Sequence, residues 1–349
     1  MHSSHLGYHV FERRVILRGT LTLLSGLHIG CGRDIGASAS DLPVLKDVGG
    51  RPFIPGSSLK GVLRSCAESF LRAFQTMTTL PLSCTLVGAK PGMPASDKWK
   101  EEDQPGEFDP LGPCIPDVLK KELIGKPDAD ALLWKKSCWV CCTFGSPWLA
   151  SKVRIIDLSL VSSWRPEMLQ IRDGVAIDRE SETAADKMKY DFEVVPLGAG
   201  FRLEMILENP EDHELGIVAL GLEMLNDGLA LLGGDTSRGL GRVRVEIDEI
   251  DELTPALLLE RLRGSAPVEP SPPEGVSEGG GKAASGKAEM QKSPDRPATE
   301  TQAASKRIEA ANNVKLQSWK NALYNAIQEA TKESTCTPPS ITRQESSTA

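Results

Sequence analysis

The sequence predicts an α+β fold in which a mostly antiparallel sheet carries helices on one face. Strand-like and helix-like segments alternate between residues 13 and 248, in an order that suggests βαβ units of a ferredoxin-like core. A hydrophobic content of 40% in 349 residues is sufficient to build such a core. We expect a β-hairpin and a cysteine-containing insertion in addition to it.

The first predicted unit is a strand, a glycine-rich loop and a helix. Residues 13–24 alternate apolar and polar side chains as a strand does, and residues 57–74 carry apolar side chains at helical spacing. Between them, glycines, a histidine, aspartates and basic side chains are concentrated in residues 26–65. We therefore treat this stretch as the part around which the chain is organised.

The start of this helix is a candidate anion site. Ser57 or Ser58 is the expected N-cap. Lys60 and Arg64 lie one turn apart on the same face, where they would join the free N–H groups and the positive end of the helix dipole. A capped surface helix with solvated basic side chains is the alternative.

The other predicted elements complete a domain over residues 1–263. Residues 76–137 are rich in proline, glycine, charged residues and cysteine, which predicts an insertion. A long hairpin with a polar tip is predicted for residues 171–195. The remaining elements are strands at 152–161, 200–208 and 241–248 and a helix at 214–231.

The composition changes at the end of this domain. Residues 264–303 are dominated by Pro, Gly, Ser, Glu and Lys, and they predict a disordered linker because they offer too few apolar side chains to fold. A helix and a tail are predicted for residues 304–349. The apolar stripe of this helix includes Trp319 and would dock either on the chain's own domain or on a partner subunit.

Charge and hydropathy narrow the class of partner. The formal net charge of −8 argues against a nucleic-acid binder, but the acidic residues are concentrated in a few segments, whereas basic residues accompany the glycine-rich ones. The local sign of the charge therefore allows RNA binding. Residues 1–14 do not resemble a signal peptide, and no stretch approaches the roughly 20 apolar residues that span a bilayer. We expect a cytoplasmic protein without a membrane partner.

A second glycine-rich stretch, residues 232–243, has the sequence LGGDTSRGLGRV. It matches neither the GxGxxG pattern of dinucleotide-binding folds nor the GxxxxGK[ST] pattern of phosphate-loop NTPases. Its backbone N–H groups, together with Arg238 and Arg242, would suit a sugar-phosphate chain. A tight turn between a helix and a strand is the alternative.

Four of the eight cysteines are candidate ligands of a structural zinc ion. Cys138 and Cys141 form a CxxC pair, and Cys84 and Cys114 lie in the insertion before it. Thiols or metal ligands are expected before disulfides in a cytosolic chain. Tetrahedral Zn²⁺ held by the four thiolates would stabilise a region that otherwise lacks a core. Free thiols are the alternative.

Together these residues resemble the RAMP superfamily, and within it the repeating backbone subunit of type III CRISPR effector complexes. The resemblance covers about residues 15–248 and is carried by six motifs in the order of the family. The motifs are GLHIG at 26–30, DLPVLKD at 41–47, RPFIPGSSLKGVLRS at 51–65, CCTFGSPWLASKVRIIDLSL at 141–160, AIDRESETA at 176–184 and GGDTSRGLGRV at 233–243.

The resemblance implies an RRM-like core that holds CRISPR RNA, subunits stacked into a helical filament, and a β-hairpin thumb at residues 171–195. The partners would be CRISPR RNA, complementary target RNA, and other RAMP and small subunits of the complex. Contacts to the guide backbone would be tolerant of sequence, while base pairing selects the target. Some relatives carry a zinc site beside the thumb. The predicted RNA-binding residues are His28, Ser57, Ser58, Lys60, Arg64, Arg154, Arg172, Arg179, Gly234, Thr236, Ser237, Arg238 and Gly239.

Asp41 is the predicted catalytic residue. In target-cleaving members of the family an aspartate lies in the loop before the x-Pro-Val/Ile strand, and Asp41 of SDLPVLKD matches that place. The resemblance implies cleavage that depends on Mg²⁺ or Mn²⁺, in which the 2′-hydroxyl attacks its own phosphate and a 2′,3′-cyclic phosphate remains. Asp34 is a second candidate in the same loop. A solvated carboxylate or a turn cap is the alternative for Asp41.

Two other functions are compatible with the sequence. One is a structural RNA-binding subunit in which Asp41 is silent, and the other is a guide-processing endoribonuclease. Processing relatives usually work without a metal and use a histidine or a similar base, for which only His28 is in a suitable place. The apolar neighbours Leu27 and Ile29 favour packing against RNA or a hydrogen bond to the loop for this histidine.

Overall fold

The computed structural model describes residues 10–32, 40–78, 80–84, 129–177, 184–264 and 298–334. Within these ranges the strands are β1 (Arg14–Leu23), β2 (Phe53–Ile54), β3 (Val153–Ile155), β4 (Leu158–Ser159), β5 (Gln170–Ile177), β6 (Ala184–Val194), β7 (Gly200–Glu208) and β8 (Val243–Leu253). The α-helices are α1 (Gly56–Arg72), α2 (Ala129–Lys136), α3 (Trp139–Phe144), α4 (Asp212–Asn226), α5 (Pro255–Gly264) and α6 (Ala298–Ser334).

A four-stranded sheet with the order β3-β7-β1-β8 forms the centre of the domain. Every neighbouring pair of strands in it is antiparallel. Helices α1 and α4 contact each other, and they also contact β3 and β8 respectively. The predicted α+β class and the mostly antiparallel sheet are thus confirmed.

The central strand, β1, is held in register by the alternation of its side chains. Leu17, Leu21 and Leu23 are at most 1% exposed, whereas the threonines that alternate with the last two are only half-buried. Leu59 and Leu63 of α1 are fully buried in the same apolar cluster. Full burial of one leucine is worth about 1.5–3 kcal/mol, so a shift of β1 by one residue would be strongly unfavourable.

The start of α1 differs from the prediction. The helix begins at Gly56, and neither Ser57 nor Ser58 is its N-cap, so the predicted serine cap is wrong. The Oδ1 atom of Asp157 instead accepts a hydrogen bond of 2.8 Å from the N–H of Gly56. A free helix N–H is therefore satisfied by a residue about one hundred positions away. Asp157 also divides the predicted strand at 152–161 into β3, which joins the main sheet, and β4, which pairs with β2.

Strands β5 and β6 form an antiparallel hairpin that covers most of residues 170–194. Their pairing runs from Gln170 opposite Val194 to Ile177 opposite Ala184, with an irregularity after Val175. The tip, residues 178–183, lies outside the described residues. The hairpin forms a sheet separate from the main one.

Other predicted elements appear with small shifts of their ends. The strand at 200–208 has the predicted bounds. The helix predicted at 214–231 is α4, which starts earlier, at Asp212, because Glu211 and Glu214 form a capping box, and which ends at Asn226, before the predicted end. The strand predicted at 241–248 continues to Leu253 in β8. Most of the predicted insertion lies outside the described residues, and α2 lies near its end.

Helical structure extends into both ends of the predicted linker. Helix α5 ends at Gly264 and α6 begins at Ala298, while residues 265–297 lie outside the described residues. Among the described helices, none is long and apolar enough to cross a membrane.

Helix α6 packs on the domain against α4 and β8. The Nζ atom of Lys320 lies 2.7 Å from Oε1 of Glu223, and the side-chain amide of Asn312 donates to two backbone carbonyls of β8. Of the two docking alternatives, the structure therefore shows docking on the chain's own domain. Among the side chains of α6 between residues 309 and 332, the buried hydrophobic ones are Leu323, Ile327 and Ala330.

Gly216 of α4 provides a test of this packing. A Cβ atom at this position would lie 2.4 Å from the carbonyl oxygen of Trp319 and 2.6 Å from the Cβ atom of Leu323. We expect Gly216→Ala to lower the free energy of unfolding by about 1–3 kcal/mol through overpacking, in spite of the helix propensity of alanine. Chemical denaturation followed by tryptophan fluorescence measures the change.

Gly61→Ala is the matched control. Gly61 lies in α1, and its Cβ position has nothing within 4 Å. The substitution should raise stability by about 0.5–1 kcal/mol because it removes an exposed glycine from a helix. Equal gains from the two variants would contradict a tight contact between α4 and α6.

Candidate nucleic-acid interface

Strand β6 and the residue that follows it are where the predicted functional segments meet. Leu27 and Val195 exchange two backbone hydrogen bonds of 2.9 and 2.8 Å, which fix the GLHIG motif beside the end of the strand. The SDLPVLKD motif lies alongside the same strand. There the N–H of Leu42 donates to the carbonyl of Asp191, and the N–H of Glu193 donates to the carbonyl of Leu42. These bonds place both motifs next to the hairpin.

Glu193 is the main side-chain anchor of this arrangement. Its side chain is 9% exposed, and Oε2 accepts a hydrogen bond of 3.0 Å from the N–H of Val44. The Nζ atom of Lys46 lies 2.9 Å from Oε1 and 2.8 Å from Oε2. A carboxylate buried to this degree is stable only with such partners. Glu193 therefore connects the Asp41 segment, residues 40–47, to β6.

His28 connects the GLHIG motif to β6 and to the second glycine-rich stretch. Its Nδ1 atom lies 2.7 Å from the carbonyl oxygen of Glu193, so Nδ1 carries the proton and donates. The ring packs edge-on against Phe192 with a centroid distance of 5.8 Å. The carbonyl of His28 accepts a hydrogen bond of 2.8 Å from the N–H of Gly234. The side chain of His28 is thus hydrogen-bonded to β6, whereas its backbone carbonyl is hydrogen-bonded to the second glycine-rich stretch. RNA contact by this side chain stays a prediction.

Asp41 lies at the surface beside the hairpin. Its Oδ2 atom accepts a hydrogen bond of 3.1 Å from the N–H of Asp191, and its side chain is exposed. Asp173 is directly opposite Asp191 in the hairpin. A fixed carboxylate that solvent can reach is suited to proton transfer or to binding a hard cation. Asp34 and Arg179 lie outside the described residues.

The glycine loop, residues 232–243, is held against the GLHIG motif. Gly233 has a φ of +85°, and a Cβ atom there would lie 2.5 Å from the carbonyl oxygen of His28. Only glycine suits this conformation and this close approach. The outer turn of the loop faces solvent and carries the predicted ligands Thr236, Ser237, Arg238 and Gly239.

A cleft of about 330 Å³ lies between the hairpin and the glycine loop. Arg172 of the hairpin and Arg238 of the loop both line it, and Phe192 and Leu240 supply an apolar part of its wall. The hydrogen bond with Tyr190 and the nearby carboxylate of Asp235 raise the pKa of Arg238. Asp173 also lines the cleft, and Arg238 is paired with Asp235 at its edge. The cleft thus combines two arginines and a carboxylate with apolar surface, and its arginines could contact the phosphates of a nucleic acid while the apolar wall contacts its bases.

The remaining predicted RNA-binding residues lie in a second place, at the start of α1 and on β3. Ser57 is exposed and Ser58 is half-buried on the first turn of the helix. The Nζ atom of Lys60 donates to Oγ of Ser151 at 2.7 Å. Burial, and then the charge of Arg64, lower the pKa of Lys60. At the start of α1, the basic side chain of Lys60 therefore has a neutral hydrogen-bond partner, Ser151.

Arg64 and Arg154 are engaged with acidic residues of the protein. The Nε atom of Arg64 donates to Glu68 and its Nη1 atom to the carbonyl of Gly145, both at 2.7 Å. Arg154 is paired with the nearly buried Glu208. Since its donors are used within the fold, Arg64 is better suited to a structural role than to the phosphate contact predicted from the sequence.

Cys84, Cys138 and Cys141 form a compact cluster of sulfur atoms. The three residues are at most 2% exposed, and their Sγ atoms lie within 4.8 Å of one another. The Sγ atoms of Cys84 and Cys141 are 3.5 Å apart. Sulfur atoms that share one Zn²⁺ at about 2.3 Å lie roughly 3.8 Å apart in a tetrahedral site, so the cluster could hold a metal ion. Cys114, the fourth predicted ligand, lies outside the described residues.

The surroundings of the cluster distinguish Cys141, a candidate ligand, from the neighbouring Cys142. The Nη2 atom of Arg64 donates to Sγ of Cys141 at 3.6 Å, which places a positive charge beside a sulfur atom that would be negative as a ligand. The neighbouring Cys142 instead directs its thiol toward the carbonyls of Trp134 and Ser137. Burial raises the pKa of the Cys142 thiol, so it is a protonated donor.

Sequence analysis missed three residues that shape this site: Lys46, Tyr190 and Glu193. In the stretch YDFEVV at 190–195, the alternation of a strand suggests that Glu193 is solvated. Glu193 is buried because residues 44–46, which are distant in sequence, pack over its side chain. Tyr190 lies directly opposite Gly174 in the hairpin. A glycine opposite an aromatic residue in two paired strands could have indicated this contact. The pairing of Gly174 with Tyr190, however, is known only from the structure.

Comparison with known proteins agrees with the motifs. A sequence model of the RAMP superfamily matches residues 20–244. A protein of Enterococcus italicus named "CRISPR system Cms endoribonuclease Csm3" is 27% identical over 240 residues, which cover 68% of this chain and 92% of that protein. A protein of the same name from Methanocaldococcus jannaschii is 26% identical over 243 residues, 66% of this chain and 78% of its own length. The match to the superfamily ends before α5 and α6.

A third protein has a higher identity to this chain, but over a shorter stretch. The protein of the same name from Mycobacterium tuberculosis is 48% identical over 54 residues, which cover 15% of this chain and 23% of that protein.

Substitution of Glu193 tests its role as an anchor. We expect Glu193→Gln to lower the free energy of unfolding by about 1–3 kcal/mol, because Lys46 would remain partly buried without its counter-charge. Chemical denaturation measures the loss, and adding Lys46→Met to the variant should recover part of it.

Glu249→Gln is the control for a surface ion pair. Glu249 lies 3.0 Å from Arg18, but its side chain is 58% exposed. Solvent screens such a pair, so the loss should stay below about 1 kcal/mol. Similar losses from both glutamate variants would show that Glu193 is not an anchor.

Proposed function

The chain belongs to the RAMP superfamily, and we propose that it is a guide-RNA-binding backbone subunit of a type III CRISPR effector complex. In this proposal the subunit cleaves target RNA complementary to the guide, with Asp41 as the catalytic residue and a divalent metal ion as cofactor. The observation that carries the proposal is the placement of Asp41 as an exposed carboxylate fixed to the hairpin. The endoribonuclease name of the Enterococcus and Methanocaldococcus proteins supports ribonuclease activity.

The finer description of the fold is part of the proposal. The elements of the main sheet and its helices follow the order β1-α1-β3-β7-α4-β8. We assign a ferredoxin-like βαββαβ fold to these elements, and the strand order β3-β7-β1-β8 supports the assignment. The hairpin β5–β6 is inserted between its second and third strands. We assign this hairpin as the thumb that separates guide from target.

Guide binding is assigned to the cleft and to the start of α1. Arg172 and Arg238 would contact phosphates from two sides, and exposed N–H groups of the glycine loop would add neutral donors. Ser57, Ser58 and Lys60 would contact a further phosphate at the helix start. Such contacts do not read bases, so pairing with the guide would select the target. Other RAMP and small subunits would complete the complex.

The cleavage step follows from the chemistry of RNA. The 2′-oxygen would lose its proton and attack the adjacent phosphorus, and the 5′-oxygen of the next nucleotide would leave with a proton. The products would be a 2′,3′-cyclic phosphate and a 5′-hydroxyl. Asp41 would orient the attacking group or accept its proton, with Oδ2 held by the N–H of Asp191. Bound Mg²⁺ or Mn²⁺ would supply charge neutralisation at the phosphate.

The contacts of His28 weaken the guide-processing alternative. A general base needs a ring nitrogen that reaches the substrate, and His28 is only 8% exposed. The non-cleaving alternative depends on whether Asp41 is active.

We assign Zn²⁺ to the cysteine cluster. Cys84, Cys138 and Cys141 would supply three thiolates, and Cys114 would be the fourth ligand. Zinc would have a structural role, since the cluster is buried and belongs to the main apolar cluster.

Asp41→Asn tests the proposed catalytic residue. In the assembled complex we expect cleavage of complementary RNA to fall by about 10²–10⁴-fold while guide binding is unchanged, because the amide cannot take up a proton or bind a cation strongly. Labelled target RNA measures the rate, and a chelator should stop cleavage by the wild type.

Asp47→Asn is the control within the same segment. Oδ1 of Asp47 accepts hydrogen bonds from the N–H groups of Gly49 and Arg51, and an amide oxygen can keep both. Cleavage should therefore remain close to that of the wild type. If every cut persists with Asp41→Asn, the chain is a non-cleaving RNA-binding subunit.

Metal content tests the cysteine assignment. Elemental analysis of the purified chain should find about one zinc ion per molecule. Cys141→Ser should lose the zinc and lower the midpoint of thermal unfolding, because metal binding contributes to folding. Cys31→Ser, at an exposed thiol, should retain it. A wild-type chain without zinc or another bound metal would refute the site.

A further inference from the structure

Tyr190 has an unusual position in the hairpin. It lies directly opposite Gly174, and a Cβ atom on Gly174 would be 2.3 Å from the Cζ atom of Tyr190. The aromatic ring therefore lies over the backbone of the facing strand, in space that only a glycine leaves free. This packing fixes the direction of the Tyr190 side chain.

The Tyr190 hydroxyl links the hairpin to the glycine loop. It accepts a hydrogen bond from Nη1 of Arg238, whose guanidinium carbon lies 5.8 Å from the centroid of the tyrosine ring. The same Nη1 atom donates to Oδ1 of Asp235 at 2.8 Å. Two acceptors from different segments thus hold one nitrogen of Arg238, and a guanidinium held at one nitrogen has a restricted orientation.

The remaining edge of this guanidinium suits a phosphate. No hydrogen bond within the described part of the chain uses Nε or Nη2 of Arg238. These two nitrogens form an edge with parallel N–H groups, which is the geometry of bidentate phosphate binding. Arg238 lines the cleft together with Arg172 of the hairpin. The contact with Tyr190 therefore orients one of the two arginines that line the cleft.

We propose that Tyr190 is a positioning residue for RNA, which holds Arg238 so that its Nε–Nη2 edge receives a phosphate of single-stranded RNA in the cleft. The inference rests on the proposed function and adds a residue to it. Tyr190 acts through Arg238 and does not itself carry the charge that attracts the phosphate. The apolar contact of Phe192 and Val194 with Leu240 holds the hairpin and the loop together independently. Loss of the hydroxyl should therefore loosen Arg238 without separating the two elements.

A double-mutant cycle between Tyr190 and Arg238 tests this role. The full chain is titrated with fluorescently labelled single-stranded guide RNA at fixed salt, as wild type, Tyr190→Phe, Arg238→Ala and the double variant. Tyr190→Phe keeps the ring over Gly174 and should weaken binding by about 5- to 10-fold, the net value of one ordinary hydrogen bond. The double variant should bind no worse than Arg238→Ala, because the hydroxyl acts only through the arginine.

Tyr324→Phe is the matched control, since Tyr324 is an exposed tyrosine of α6. It should bind RNA like the wild type, and all variants should have wild-type unfolding midpoints. If Tyr190→Phe binds like the wild type while Arg238→Ala is weak, the positioning role is refuted and the proposed function stands. If the effects of the two substitutions simply add, Tyr190 acts independently of Arg238 and the inference is also refuted. If Arg238→Ala binds like the wild type, the assignment of the cleft to guide RNA fails.

Discussion

The contacts of Glu193 are the constraint on which the arrangement of the exposed site depends. Its buried carboxylate holds Val44 and Lys46, and its carbonyl oxygen holds the ring of His28. His28 in turn holds the glycine loop through Gly234. A buried ion pair adds little net stability, but an arrangement that leaves its carboxylate unpaired is costly. The hairpin, the Asp41 segment and the glycine loop therefore keep one relative placement.

The distribution of charge explains how an acidic chain can present basic side chains at two places, the cleft and the start of α1. Several of its carboxylates are used inside the fold as counter-ions: Glu68 for Arg64, Glu208 for Arg14 and Arg154, and Glu214 for Lys152. Arg172 and Lys60 instead donate to the neutral side chains of Gln170 and Ser151. Their positive charge is thus less compensated locally, which is the property that RNA phosphates require.

Sequence reasoning was most accurate where burial follows the period of the element. The strand at 200–208 has the predicted bounds, and β1 is one residue shorter than predicted at each end. It was wrong about the cap of α1, because the acceptor of the Gly56 N–H is Asp157 and not a neighbouring serine. In the candidate site it singled out Asp41, His28 and Arg238 but not Glu193 or Tyr190. Those two residues acquire their roles only from partners that are distant in sequence.

The sequence by itself determined the class of fold, the family resemblance and the residue types of the site, because periodicity and motifs are properties of neighbouring residues. Only the tertiary structure decided which side chains are available. It placed Arg64 against Glu68 and Gly145, and brought Cys84 next to Cys141. The physical reason is that the role of a polar side chain is set by the atoms that surround it. In this protein those atoms come largely from segments that are far apart along the chain.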